Sequence, residues 1–568
     1  MLSAVSAAPA GLRWLTFGPL PADAAPTHSR LVYPGPDGRL IYAPDDSGGT
    51  IPDFSMVGYR SGGVLLPDVA VQVTLQPQPG SKDDRARIQA ALDRVAALPR
   101  DAHGFRGAVL LKRGQYRVKG PLKLAASGVV LRGEGPGEDG TVLIATLREQ
   151  HSLIEVGGAG NFRPEEATRQ PVVGKVAAGA LRFEVQDASR FKVGDTVIVH
   201  RPSTREWLAE LGMDRLTETY KNPNLRNWEP GSYDMHHHRV ITAIDGATVT
   251  INAPVLQALD PRFGGGSLVR YDDKVRIEEV GVEELRIVSD YDRKKKERPN
   301  ELTKNHPIRQ FVDEDHAWVG VMLDRVRDAW VRRVTVLHTG YGAVHCAASA
   351  LRVTVQDCAM IDAVSRHTGG RKYSFGANGQ LGLFLRCYAR NGRHDFVLAS
   401  RVVGPNAFVD CQADDSSNSS EPHHRYSVGC LWDNVQVRGE ANLQAINRGD
   451  SGSGHGWSGA TMVFWNCSAR SVLVMRPPGA QNYAIGWTGP ADAQSLGVTD
   501  DYAVILEWVN RRSRANIRYE GVPLMGDAHL ESPRGPVSPR SLYLKQLEDR
   551  LGPAAVAVVT APTAGPSL

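Results

Sequence analysis

The 568-residue chain is expected to be all-β: a solenoid of the parallel β-helix kind, with a small antiparallel β domain inserted in it, a capping helix near the N-terminus and a helix near the C-terminus. Three observations predict this. First, five histidine-bearing groups, His338-Thr-Gly, His367-Thr-Gly, Arg393-His394-Asp395, His423-His424-Arg425 and Gly454-His455-Gly456, follow one another at intervals of 29, 27, 29 and 32 residues. Second, another pattern runs in step with them: Gln356-Asp-Cys358, Leu385-Arg-Cys387, Val409-Asp-Cys411, Trp432-Asp-Asn434 and Trp465-Asn-Cys467. Two features recurring with the same irregular spacing point to one supersecondary unit repeated along an axis. Third, each unit holds short β-type runs, such as Arg333-Val-Thr-Val336, Arg352-Val-Thr-Val355 and Ala407-Phe-Val409, broken by Gly, Asn and Asp, and none holds a long amphipathic helix. In a solenoid equivalent residues of successive coils stack. The cysteine series, with Asn434 standing in for one member, then reads as an inward ladder, and the histidines read as an outward column.

Taken in order, residues 1–70 are rich in Pro, Gly and Asp and read as an irregular wrap. Residues 71–171 supply the cap and the first coils. A helix is expected from Ser81, with Asp83 and Asp84 in its first turn, where they favour the positive end of the dipole. Ile88, Ala91, Leu92, Val95 and Leu98 form its apolar face. Strand-like runs follow at Ala108–Leu111, Tyr116–Val118 and Val129–Arg132. The succession of Asp83-Asp84, Ile88-Gln-Ala-Ala91, a strand, Gly114-Gln-Tyr-Arg-Val118 and Leu131-Arg-Gly-Glu-Gly135 resembles the opening of pectate-lyase-like proteins of the pectin lyase-like superfamily. The resemblance covers residues 80–147 by motif and 275–480 by repeat character. It implies a right-handed parallel β-helix in a carbohydrate-active setting. It implies no particular reaction, because that superfamily includes lyases, hydrolases, epimerases and phage tailspikes, and no catalytic motif of a characterised lyase matches residue by residue.

Residues 172–272 interrupt the solenoid. Phe191–Val199 and Arg239–Ile251 are strand-turn patterns of a small antiparallel β domain. The polar stretch Trp207–Trp228 between them reads as a loop folded over the groove. His236-His237-His238 follows; adjacent strand residues point to opposite faces, so one ion does not take all three. Arg293–Arg298 reads as a solvated charge run. Residues 273–500 form the main solenoid and carry the site. Residues 501–568 are expected to give one more strand at Tyr502–Glu507, a helix opening at Ser538-Pro539 with Leu544, Leu547 and Leu551 on one face, and a frayed tail from Gly552.

Composition narrows the partners. A net charge of +4 is too small to argue for nucleic acid. Six cysteines in a chain this long are no disulfide framework, and no apolar run reaches the ~18 residues of a membrane span. Met1–Ala10 lacks the basic start of a signal peptide, although a secreted or periplasmic setting is expected from the carbohydrate reading. The oligomeric state is not legible.

A long shallow groove on one sheet face suits a linear polymer. Between Arg366 and His455 ten lysines and arginines stand against eight aspartates and glutamates, and aromatic residues lie among them, a combination that suits an acidic polysaccharide or oligosaccharide. β-Elimination on a uronic acid needs a cation to neutralise the carboxylate, a base for the C5 proton and an acid for the leaving oxygen. The candidates for catalysis are His394, His423 and Arg425, then His367, Lys372 and Tyr373. Arg371, Arg393, Arg401, His424, Tyr426, His455, Trp457 and Asp395 are candidates to bind substrate. No cofactor is certain; Asp414 and Asp415 are candidates to hold Ca²⁺ that bridges the substrate carboxylate. The expected function is a polysaccharide lyase. The competing readings are a glycoside hydrolase using two carboxylates among Asp395, Asp414, Asp415, Glu421, Asp433 and Asp450, and a non-catalytic glycan-binding solenoid.

Overall fold

The computed structural model describes residues 27–561 apart from 220–222, 301–305, 307, 440, 490–496, 502–504, 506–527 and 533–534. The main body is a parallel β-helix whose coils present three faces. On the first face, Gly107–Leu111, Val129–Arg132, Leu351–Gln356, Leu383–Leu385, Val403–Val409, Ser427–Asp433 and Gly459–Cys467 belong to one parallel ladder. Leu383, Ala407, Leu431, Val463 and Tyr483 mark the register there, each paired with the next. The second face includes Gly114–Val118, Thr141–Ala145, Tyr388–Arg390 and Gln412–Ser416. The third runs from Leu122–Leu124 through His151–Gly157, Ala317–Asp324, Gly342–Cys346, Tyr373–Ala377 and His394–Ser400 to Pro422–His424. Aromatic rings stack inside: Phe384, Phe408, Trp432 and Phe464 follow at centroid distances of 5.0, 5.8 and 4.9 Å.

The corner between the first two faces explains the second sequence pattern. Glu284, Arg333, Asp357, Arg386, Asp410, Asn434 and Asn466 all have left-handed backbone, with φ between 49° and 60°. Such a residue breaks the period-two alternation of a strand. The residue before it therefore faces out and the residue after it faces in. Cys358, Cys387, Cys411 and Cys467 follow such corners and are buried. The sequence alignment of Asn434 with these cysteines is corrected: Asn434 is itself the corner residue, and Val435 occupies the inward place. Left-handed backbone is costly for side chains other than glycine, Asn and Asp. Stacked charges offset that cost: Arg333 pairs with Glu284 at 2.9 Å and Arg386 with Asp357 at 2.7 Å.

Around this body lie the capping elements. The helix Arg85–Ala96 buries Ile88, Ala91, Leu92 and Val95; its N-cap is Asp84, so the start expected at Ser81 falls three residues later. The C-terminal helix is Leu542–Leu551 with Ser541 as N-cap, rather than a start at Ser538-Pro539. It buries Leu542, Tyr543, Gln546 and Leu547, whereas Leu551 is exposed. Pro553–Thr560 forms a further helix where a frayed tail was expected. The two C-terminal helices and the hairpin Val32–Pro34/Leu40–Tyr42 cover the outer side of the first face. The strand expected at Tyr502–Glu507 lies largely outside the described residues.

Antiparallel strands fill the interval between His151–Gly157 and Ile277–Ser289; Arg163–Pro164 and Gln170–Pro171 already pair with Ser267–Asp272. The Trp207–Trp228 stretch is not a polar loop. Trp207, Leu208, Leu211, Met213, Leu216, Leu225 and Trp228 are buried in a hydrophobic seam against Tyr426, Val428, Ile446, Trp457 and Leu473 of the solenoid. Buried Arg239 pins the inserted strands down, donating to the carbonyls of Ala253 (3.0 Å), His238 (2.9 Å), Pro254 (2.9 Å) and Gly404 (3.0 Å) and to Gln380 Oε1 (3.1 Å). Burial lowers its guanidinium pKa to about 9.

Candidate active site

The third face carries a compact polar cluster. Tyr373 and His394 are register partners on adjacent coils, and Pro422–His424 comes from the next. Tyr373 Oη lies 2.9 Å from His423 Nε2, and His423 Nδ1 lies 2.6 Å from Glu421 Oε1. Arg448 Nη1 also lies 2.9 Å from Nδ1, but it has acceptors of its own in Glu421 Oε1 and the His423 carbonyl, whereas a carboxylate only accepts; Nδ1 therefore carries the imidazole proton and donates it to Glu421, leaving Nε2 to accept from the phenol. Arg448 Nη1 donates to Glu421 Oε1 at 2.9 Å and to the His423 carbonyl at 2.7 Å. The Gln444 amide donates to the other carboxylate oxygen. His394 Nδ1 is 2.7 Å from the Ser419 carbonyl, and its ring stands 4.8 Å from Tyr373 and 4.6 Å from His423. His424 and His455 complete the cluster, 4.7 Å apart and 5.1 and 5.5 Å from His423.

Burial, reinforced by Arg393 and Arg448, holds the His394 and His423 pKa values far below the usual imidazole range. His424 is lowered to about 4 by burial and Arg425, and His455 is lowered further by burial and Arg448. These rings are neutral at neutral pH. Burial raises the Tyr373 phenol, and Arg393 and Arg448 oppose that rise. Tyr373 and His423 are 5% and 6% exposed, while His424, His455, Arg393 and Arg448 keep partial contact with water.

Of the residues singled out from the sequence, Tyr373, Arg393, His394, His423, His424 and His455 come together here. Arg425 stands beside them, donating to Ser453 Oγ at 2.5 Å. His367 and Lys372 do not join. His367 contacts the Ser417 hydroxyl, and burial next to Lys372 lowers its pKa to about 2. Lys372 is wholly buried on left-handed backbone; burial and Arg309 lower it to about 7. Arg371 is held by Glu314 at 3.0 Å. Arg401 is exposed and donates to the Ser232 carbonyl. His338 does not join either; its Nδ1 is bonded to the Asp362 carbonyl.

Several readings are corrected. Tyr426 is buried edge-on against Trp207 at 4.8 Å, and Trp457 is buried with Nε1 donating to the Leu211 carbonyl at 3.2 Å; both belong to the hydrophobic seam and offer no surface to a sugar. Trp465 faces outward, because left-handed Asn466 separates it from Cys467; the C-terminal segment covers it. Asp395 is buried between the hydroxyls of Ser374 and Ser416, and burial raises it to about 6. Asp414 and Asp415 sit on the second face. Asp414 faces Tyr388 Oη at 3.1 Å and Arg438 at 3.2 Å, and Asp415 lies 3.9 Å from His306. Among the described residues the ligand atoms that do converge, within 4.8 Å, are those of His423/His424/His455, His394/Glu421/His423 and His200/Asp234/His236. Arg448 beside the first two sets opposes a cation there. In the His236–His238 run, His236 stacks on His200, His237 bonds to the Val199 carbonyl and His238 packs on Tyr271, as strand alternation requires.

Sequence reasoning missed Arg448 and Gln444 and saw Glu421 only as a hydrolase carboxylate. The available signal was the 32-residue interval between His423 and His455, the longest of the series: its extra residues form the loop that carries Arg448.

No protein-family model matches the sequence, and no curated protein matches it. Solved structures that the fold resembles include the tailspike gp49 of Pseudomonas phage LKA1 (14% identity, TM-score 0.39, covering 72% of this chain and 57% of that one). The Gp54 tailspike of Acinetobacter baumannii bacteriophage AP22, solved with a capsular saccharide, shows 11% identity and a TM-score of 0.36, covering 80% of this chain and 66% of that one. The polygalacturonase of Erwinia carotovora shows 11% identity and a TM-score of 0.31, covering 77% and 98%. The chain thus spans less than two thirds of the length of either tailspike. The likeness is one of architecture, and residue roles are not carried across it.

Proposed function

We propose that this protein is a polysaccharide lyase that cleaves a uronic-acid-containing polymer by β-elimination on the third face. The observation that supports this reading is the Tyr373–His423–Glu421 relay. Tyr373 passes its proton to His423 Nε2, and Glu421 stabilises the resulting imidazolium. The phenolate takes the C5 proton of the sugar while Arg393 and Arg448 offset the substrate carboxylate. As the C4–O4 bond breaks and a C4–C5 double bond forms, the regenerated phenol protonates the leaving oxygen. The imidazolium then returns its proton to the phenolate, so the net transfer is from C5 to O4. Neutral His424 and His455 hold the sugar hydroxyls.

The two carboxylates of a hydrolase are less well served here. Glu421 accepts from His423, Arg448 and Gln444, and Asp395 from two serines. A secreted or periplasmic setting follows from a polymeric substrate.

The test is a panel of acidic and neutral polysaccharides read for ultraviolet absorbance and reducing ends together. Unsaturated product is expected with acidic polymers. His423→Ala and Tyr373→Phe are each expected to lower kcat roughly 100- to 10,000-fold without loss of fold. Reducing ends without absorbance replace the reading by a hydrolase; neither signal removes the enzyme.

A further inference from the structure

The two ends of the third face differ. Toward the first coils, aromatic rings lead up to the relay. Trp318 lies nearly parallel to Tyr341, with centroids 6.3 Å apart and planes 17° apart, and Tyr341 lies 5.0 Å from Tyr373. Trp318 and Tyr341 each keep part of their surface in water. Gly340 makes room for the row, since a Cβ there would stand 2.3 Å from the Trp318 ring. One coil rises ~4.8 Å, the scale of a single pyranose ring, and flat aromatic faces suit the apolar faces of sugars.

Toward the last coils the face is shut. Beyond its last strand, Leu473, on the strand Ser471–Val474 of a separate three-stranded sheet, is fully buried in the same hydrophobic cluster as the inserted segment. Trp228 Nε1 donates to the Gly454 carbonyl at 3.1 Å, tying that segment to the loop that presents His455. The seam therefore stands as a wall immediately beyond His424 and His455.

We propose that the sugar chain binds on one side of the relay only, stacked on Trp318 and Tyr341, with its end against this wall, and that cleavage releases short units from the chain terminus. The cleavage mode rests on the lyase reading; the docking does not. Arg393, half-buried beside Tyr373, supplies a cation for an acidic sugar at the walled end.

Docking is tested by calorimetric titration of the His423→Ala protein with oligogalacturonates and oligomannuronates of increasing length. Adding Trp318→Ala is expected to weaken the longer oligomers roughly tenfold and to leave the disaccharide nearly unchanged. Equal affinities with and without Trp318, or no binding of either series, overturn the docking. In the unaltered protein, absorbance is expected to rise while polymer viscosity holds; an early collapse of viscosity overturns the walled end. Trp318-dependent binding with no unsaturated product sinks the lyase reading and leaves the docking standing. Unsaturated product with no effect of Trp318→Ala does the reverse.

Discussion

Arg448 has two opposed effects on His423: it holds the carboxylate that orients the ring, and its charge adds to burial, the larger cause, in keeping the ring unprotonated. A base that must be neutral limits activity on the acid side of the pH profile, so the acid limb of kcat/KM is expected below the ordinary imidazole range. Arg448→Met removes the cation, lets the imidazole pKa rise and moves that limb to higher pH; a limb that stays in place in the variant separates Arg448 from the proton relay. At this scale the sequence was informative wherever a side chain repeats with the coil. His394, His423 and His455 were legible because they recur. Arg448 was not, because it lies in a loop outside both patterns. Trp457 was misleading, since beside a histidine and glycines it reads as a platform, whereas its partner Leu211 lies 246 residues away in the chain. Burial against a distant segment leaves no local mark.

Among the elements, the C-terminal helix shows how one buried group couples docking to pH. Asp433 Oδ2 accepts from Ser541 Oγ at 2.7 Å and from the Tyr543 amide at 2.8 Å, at the helix start. Burial raises its carboxyl to about 7 from an ordinary 3.8. A carboxyl raised on folding contributes stability that is complete below its unfolded pKa and is lost as pH rises through its folded one. Asp433 thus opposes the net rise of Tm with pH that the buried imidazoles impose, and Asp433→Asn is expected to steepen that rise between about pH 4 and pH 7, as read by thermal melts across that range. An unchanged slope assigns the effect elsewhere. The helix itself was legible from its leucines, but its start was not. Ser538-Pro539 fits a helix start, yet Ser541 is the residue whose Oγ meets the Leu544 amide, at 3.1 Å. The corner column had the same character: the pattern announced a repeat, and only the left-handed φ of Asn434 shows which member stands at the turn.

For the whole molecule, acid is the expected weakness. His345, His394, His423, His424 and His455 are all lowered, first of all by burial. A group lowered on folding contributes stability present above its unfolded pKa, 6.5 here, and lost as pH falls toward the folded one. Each such ring contributes a slope of up to about 1.4 kcal/mol per pH unit. Buried Asp433 and Asp395 pull the other way, but the imidazoles outnumber them. Tm is expected to fall steeply below about pH 6, and a flat profile there breaks the link between the cluster and stability. The solenoid was the most legible feature because repetition writes the same physics many times over. The inserted domain was legible as strands. Its grip on the solenoid was not, since that depends on which apolar faces meet.

The grip through Arg239 has a mechanical consequence. One guanidinium holds four backbone carbonyls and a side-chain amide, bridging the inserted strands to Gln380 and Gly404 of the coils. To swing that domain aside would pull Arg239 from two buried acceptors on the coils, Gln380 Oε1 and the Gly404 carbonyl, each costing about 1–3 kcal/mol. It is masonry rather than a door. On the proposal of a walled trough, whatever enters leaves by the way it came, and the proposed lyase would be paced by how readily a severed fragment backs out.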